Sequence, residues 1–380
     1  MSQATFLRGD ARHARASASK TMHGLLAAAA VSLLSACATV APPPAAQPPI
    51  TTSPAPAPVP RPAAPPPAPV SSAEQAALRN LVAQQDRLYR VAAPLLVNNA
   101  ELCRKNARNL LGFTAKNKYS YSADFVNAAE SVLGMGESLK VTGVLDGSGA
   151  ARAGLRRGDE LVAIEDKPLP QGPNAERQAA GVIGPLIGGR NNVRLTVLRN
   201  GAQSTLNVPL TNACAFGIEL GNADHVNAYN DGYRVLVTRG MLNAVRSDEE
   251  LAYVVAKEMA HNILGHANRL RLNATAGGII DNLIRLNPDM SSMAGMSGLK
   301  PMPQDLDAIA DRLALFLVAR AGYGIDGAPA FWQRMASQYP ASMANSYTAL
   351  HPSTQFRVNA MQRTIADINA KRGGKRPLLP

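Results

Sequence analysis

The chain has 380 residues, 46% of them hydrophobic and 17% charged, and carries a formal net charge of +12. That apolar content is enough for at least one large core and excludes a wholly disordered chain. Aromatic residues make up only 4%, while 30 Gly and 28 Pro exceed what one packed fold needs, so part of the chain is linker. Half of the prolines lie between Pro42 and Pro69, which places the folded part after residue 70.

Residues 1–36 read as an export signal. Arg8, Arg12, Arg15 and Lys20 precede an apolar run from Gly24 to Ala36 that is too short to span a bilayer permanently. The run ends in Leu34-Ser35-Ala36-Cys37, which resembles the bacterial lipobox. The resemblance implies that Cys37 is lipidated and anchors the protein in the cell envelope, and Ala38 points to the periplasmic face of the outer membrane. Residues 37–70 read as a Pro/Ala-rich tether, of which 41–70 alternate Pro and Ala and should extend over roughly 90 Å, at about 3 Å per residue. The basic residues are scattered, apart from Lys371, Arg372, Lys375 and Arg376, and an exported chain rarely meets nucleic acid. The positive charge therefore reads as a solvated or membrane-facing surface, with no nucleic-acid partner.

Residues 71–128 are expected to be the N-terminal helical part of the main domain. Ser71-x-x-Glu74 is a capping box, and Leu78, Leu81, Val82, Leu88, Val91 and Leu95 follow at helical spacing, so the helix over 71–100 should pack on the later half of the chain. Cys103 and Cys214 form an even pair in a compartment that permits disulfides and are expected to bond. Between 129 and 212 the period shifts to strands. Val193, Leu195 and Val197 alternate, Asn200-Gly201 marks a tight hairpin, and Leu206, Val208 and Leu210 follow.

Within this stretch Gly147-Ser148-Gly149-Ala150-Ala151-Arg152-Ala153-Gly154-Leu155 leads into Gly158-Asp159-Glu160-Leu161. The pattern resembles a PDZ domain of the bacterial envelope-protease type. The resemblance implies that the C-terminal ends of polypeptides bind as an added strand, with backbone amides receiving the carboxylate. Gly134-Met135-Gly136 is the candidate carboxylate loop.

Residues 213–380 contain linked patterns. Val226-Asn227-Ala228-Tyr229 and Val235-Leu236-Val237-Thr238 precede Ser247-Asp248-Glu249-Glu250, a second capping box opening a helix to about His266. On it stands Lys257-Glu258-Met259-Ala260-His261, followed by Asp307-Ala308-Ile309-Ala310-Asp311, Ala319-Arg320-Ala321-Gly322-Tyr323, Ala328-Pro329-Ala330-Phe331-Trp332, and His351-Pro352-Ser353 with Arg357. Together they resemble the zinc metallopeptidase family that includes HtpX, BepA and the CAAX-prenyl endopeptidases (peptidase family M forty-eight). The resemblance implies an α+β fold: a mainly helical gluzincin-type metallopeptidase domain with the β-rich PDZ domain inserted into it.

It also implies Zn2+ as cofactor, Glu258 as catalytic base, His261 and Asp307 as metal ligands with His351 as a further candidate, and Asp311 and Arg357 as supporting residues. The family's first ligand is a His, whose imidazole shares a helix face with the His four residues on. Here Lys257 stands at that place, and an ammonium has no lone pair to offer zinc. Facing carboxylates, it would take the place of the metal's charge. His266, five residues after His261, should point off the ligand face, and His225 reads as a surface residue. Met290–Pro303, rich in Met, Ser and Gly, reads as a lid or a plain loop.

Two readings follow. One is an envelope metalloendopeptidase acting in proteolysis or quality control through an atypical zinc site. The other is a catalytically inactive scaffold that binds polypeptide clients.

Overall fold

The computed structural model describes residues 71–269, 273–285, 287–291, 303–340 and 354–380. The leader, Cys37, the tether, His351 and most of the expected lid lie outside the described residues.

Helix α1 (Ser72–Val97) opens on its capping box: Ser71 Oγ accepts from the Glu74 N–H, and Glu74 Oε2 accepts from the Ser71 N–H at 2.9 Å. It stops at Asn98-Asn99, where the Asn99 side-chain amide donates to the carbonyls of Leu95 and Leu317 at 2.9 and 3.0 Å. That bond satisfies a terminal carbonyl of the helix and pins its end to the second half of the chain. The following residues are not a continued helical part. They form α2 (Ala100–Cys103), β1 (Ala107–Leu110), β2 (Phe113–Lys116) and α3 (Val126–Leu133).

The β-rich unit thus starts at Phe113, ahead of the expected boundary at 129, because β2 pairs antiparallel with β3 (Lys140–Val144). After α4 (Gly149–Arg152) come β4 (Glu160–Ile164), β5 (Lys167–Pro168), α5 (Ala175–Ile187), β6 (Asn192–Arg199) and β7 (Ala202–Pro209). The antiparallel order is β2-β3-β4-β6-β7, with β5 beside β4. Phe113, Val141, Leu161, Ile183, Leu195 and Val208 belong to a core that this unit keeps to itself. The β6–β7 hairpin closes Arg199 onto Ala202, and Asn200 and Gly201 both take positive φ, 51° and 80°, as a two-residue I′ turn requires.

The Gly-Asp pattern has a local cause. The Asp159 carboxylate accepts from the Arg156 N–H at 2.8 Å and receives both arms of the Arg199 guanidinium at 2.6 Å, tying the turn to β6. Its side chain is buried, so Asp159→Ala should destabilise this unit by about 2 kcal/mol, the worth of charge-assisted bonds, read as a shift in urea midpoint. Arg199 and the Arg156 amide outweigh burial and hold the Asp159 carboxyl below its usual range. A depressed carboxyl stabilises above its unfolded value of about 3.9, so this contribution should fade as pH falls through that value and below.

The chain enters and leaves the unit side by side. β8 (Thr211–Cys214) pairs antiparallel with β1, Ala107 opposite Cys214, and a disulfide joins Cys103 to Cys214 with Cα atoms 5.5 Å apart. The bond closes a loop with a sequence separation of 111. Reducing it, or replacing both cysteines by Ser, should cost about 3 kcal/mol of stability, seen as an earlier urea midpoint under reductant.

β9 (Gly217–Gly221), β10 (Ala228–Asn230) and β11 (Arg234–Thr238) form a sheet in the order β10-β11-β9. Then follow α6 (Arg239–Ala244), α7 (Asp248–Leu264), α8 (His266–Arg269), α9 (Asn273–Leu283), α10 (Gln304–Arg320), α11 (Ala328–Gln338) and α12 (Gln355–Gly373). Leu88, Val91 and Leu95 of α1 join Val235 of β11, Val254 of α7, Phe316 of α10, Phe331 of α11 and Met361 of α12 in one core. That core therefore draws on both sides of the β-rich unit in sequence, and the fold is α+β.

Candidate active site

Helix α7 is capped by Ser247, whose side chain accepts from the Glu250 N–H. The return bond of the box is displaced by one residue, since Glu250 Oε2 accepts from the Arg246 N–H at 2.6 Å. Residues Leu251 to Asn262 are buried without a break, so α7 runs through the core rather than over it. Ala256 and Ala260 share that core with Ala310 and Ala314 of α10, and these small side chains let the two helices approach closely.

Lys257, Glu258, His261, Asp307 and Asp311 are all buried at this contact. Lys257 Nζ lies 2.9 Å from Asp307 Oδ1 and 3.4 Å from Asp311 Oδ1, and 4.8 Å from the centroid of the Trp332 ring. Arg357, on the first turn of α12, enters from the other side. Its Nε lies 2.7 Å from Asp307 Oδ2, and its Nε and Nη2 donate to Asp311 at 2.8 and 3.0 Å. Burial alone would lower the guanidinium's pKa, but Asp311 and Asp307 outweigh it and hold it more firmly protonated than a free arginine. The centre of the site is a buried cluster of two cations and two carboxylates.

Glu258 stands to one side. Its Oε2 accepts from the Asn230 amide of β10 at 2.6 Å, and burial pushes its carboxyl above the usual range, opposed by His261, that hydrogen bond and Lys257. Asn262 fixes the loop after β10, accepting from the Gly232 N–H at 2.6 Å and donating to the Arg234 carbonyl at 3.0 Å.

His266 does not point away from His261. Helix α7 ends at Leu264, Gly265 takes the left-handed conformation at φ 68°, and the chain turns back so that the two Nδ1 atoms meet at 2.9 Å. Burial first, then His261 and Arg269, push His266 down to about 4, so it is neutral at neutral pH. His261 Nε2 faces Asp307 Oδ1 at 3.7 Å. His225 is not the surface residue expected: it is half-buried, with its Nε2 bonded to the Tyr229 hydroxyl at 2.8 Å.

The structure therefore brings together Lys257, Glu258, His261, Asp307, Asp311 and Arg357, and adds Asn230, Trp332 and His266. Trp332 could have been singled out as the only tryptophan of an aromatic-poor chain. Asn230 and His266 left no such signal.

Asp307 is ion-paired with both Lys257 and Arg357. In Gly134-Met135-Gly136 the Gly134 and Met135 amides donate to the Ala129 carbonyl of α3, and Met135 packs with Leu78, Tyr121 and Phe125.

The fit of zinc can be judged from the donors. Its first ligand position carries an ammonium, and the Asp carboxylate at the third is ion-paired. Among the described residues, no group of three or more His, Cys, Asp or Glu side chains could hold a metal ion. These residues do not fit the metal.

Comparison with known proteins places the site in context. The mitochondrial metalloendopeptidase OMA1 of Schizosaccharomyces pombe is 25% identical over 147 residues, which cover 37% of this chain and 44% of the relative. The human OMA1 metalloendopeptidase is 29% identical over 150 residues, 35% of this chain and 29% of its own, and that of Arabidopsis thaliana 27% over 135 residues, 33% and 26%. The chain spans less than half the length of these curated relatives. Residues 192–365 match the model of Peptidase family M48, a family of zinc-dependent metallopeptidases, and this matching segment holds every residue of the buried cluster.

Proposed function

We propose that this protein is a lipid-anchored component of the cell envelope that uses a metalloendopeptidase scaffold to hold polypeptides without hydrolysing them. One observation carries the reading: the Lys257 ammonium, 2.9 Å from Asp307 and 3.4 Å from Asp311, sits among the acidic groups where the family's metal charge would be needed. A buried cation that already satisfies these carboxylates opposes entry of a second one. The β-rich unit, read as a PDZ domain, would supply a peptide-binding edge, and β2 and β7 are the two edges of its sheet. The lipobox resemblance at Cys37 supports attachment to the membrane.

A second reading is a zinc metalloendopeptidase with an atypical site, acting in proteolysis of envelope proteins. It is favoured by the similarity to the OMA1 metalloendopeptidases and by Glu258, which retains a buried carboxylate one turn from His261. The two part on measurement. Wild-type protein, stripped with chelator and re-equilibrated with zinc, should retain a small fraction of an equivalent and leave casein intact. Stoichiometric zinc together with casein cleavage that Glu258→Gln abolishes would establish the peptidase reading instead.

A further inference from the structure

We propose that residues 99–108 and 371–380 form a basic face that docks on an anionic membrane surface. In sequence the two segments are far apart. Arg320 of α10 brings them together: its guanidinium lies 3.1 Å from Glu101 Oε2, 3.4 Å from the Asn98 carbonyl and 3.2 Å from the Leu378 carbonyl.

The second segment is folded back rather than trailing. The Arg376 N–H donates to the Lys371 carbonyl at 2.8 Å, Lys371 Nζ donates to the Leu379 carbonyl at 2.5 Å, and Arg372 reaches the Ala319 carbonyl at 3.2 Å. These bonds fix the segment against α10 and α12. Arg104, Lys105, Arg372, Lys375 and Arg376 are exposed. The carboxylates of the same region are already engaged, Glu101 with Arg320 and Asp367 with Arg312 and Lys371. Arg104, Lys105, Lys375 and Arg376 have no carboxylate partner among the described residues.

A cluster of unneutralised cations fits a surface of phosphate headgroups, where each contributes to attraction within about a Debye length of about 10 Å. Two further features favour a membrane over nucleic acid. Leu379 is 37% exposed beside the cations, an apolar side chain that a headgroup layer accommodates. None of the segments' exposed residues is aromatic, so the face has no ring on which a base could stack. The proposal stands apart from the fate of the Lys257 site, because none of its residues touches that cluster.

The test uses the full chain carrying Cys37→Ser, so that no lipid anchor contributes, in co-sedimentation with vesicles. Vesicles of phosphatidylglycerol and phosphatidylcholine in equal parts should pull the protein down at low salt, pure phosphatidylcholine should not, and binding should fade towards about 0.5 M salt. Lys375→Glu/Arg376→Glu should weaken binding at least about tenfold, as should Arg104→Glu/Lys105→Glu, with unchanged thermal midpoints because these side chains are exposed. Equal binding to both vesicle types would overturn the proposal. So would charge reversals without effect, which would assign binding to the leader or another surface, or tighter retention of a DNA duplex than of vesicles at the same salt.

Discussion

Lys257→His should convert a chain that takes up little zinc into one that holds it stoichiometrically. Position 257 lies four residues before His261 on one face of α7, so the new imidazole would stand beside the old one. His261 is already oriented for such a role. Its Nδ1 is occupied by His266, which leaves Nε2 facing Asp307, and a fixed second nitrogen is the kind of support that metal-bound histidines have. Removing the ammonium also frees Asp307 Oδ1, although Arg357 still holds Oδ2. Affinity should therefore rise by more than the roughly 10–100-fold that a supporting residue alone is worth, yet stay limited, because Asp307 is one methylene shorter than the Glu that the metallopeptidase resemblance implies at the third ligand position. Asp307→Glu added to Lys257→His should raise it again by restoring the missing methylene. Zinc per chain after dialysis against a graded chelator series reads both steps. If Lys257→His binds no more zinc than wild type, Lys257 is not what keeps the metal out.

The parts of this site that were legible in the sequence are those set by local geometry. A capping box at Ser71 and the Asn200-Gly201 turn are decided within a few residues, and both form as their side chains dictate. Lys257, Glu258 and His261 share a helix by simple spacing, and the Asp307 and Asp311 pair follows the same logic on α10. What escaped depends on contacts far along the chain or on where an element stops. His266 meets His261 because α7 breaks at Gly265, and periodicity alone extends the helix through that glycine. Met135 reads as part of a candidate carboxylate loop, and its burial among Leu78 of α1, Tyr121 and Phe125 is set by contacts that no local pattern contains. β2 alternates apolar and polar residues as Phe113-Thr114-Ala115-Lys116, but four residues are too short a run for periodicity to mark a strand, and the burial of Thr114 and Lys116 comes from the surrounding fold. Arg357 reads from the resemblance only as a supporting residue, and its reach to both Asp311 and Asp307 needs the angle at which α12 crosses α10, which no local pattern contains.

Arg357 is the residue whose loss should cost the fold most. Its guanidinium is 1% exposed and is the only partner that reaches both Asp307 and Asp311 with N–H groups at 2.7–3.0 Å among the described residues. Arg357→Met would leave two buried carboxylates to share the Lys257 ammonium, and an unbalanced buried charge costs about 3–5 kcal/mol. The upper part of that range is expected, because two carboxylates lose a partner at once. Arg357→Lys keeps the charge but cannot present a planar fork to Asp311, so it should recover only part of the loss. The decisive variant restores balance differently. Arg357→Met combined with Asp311→Leu leaves Lys257 paired with Asp307 alone and should be more stable than Arg357→Met by itself, giving a large favourable coupling in a double-mutant cycle on urea midpoints. A purely steric role for Arg357 predicts the opposite order, with the double variant weaker than either single one. Should Arg357→Met cost less than about 1 kcal/mol, the two carboxylates are not held by opposite charge, and the account of Lys257 as the site's built-in cation fails with it.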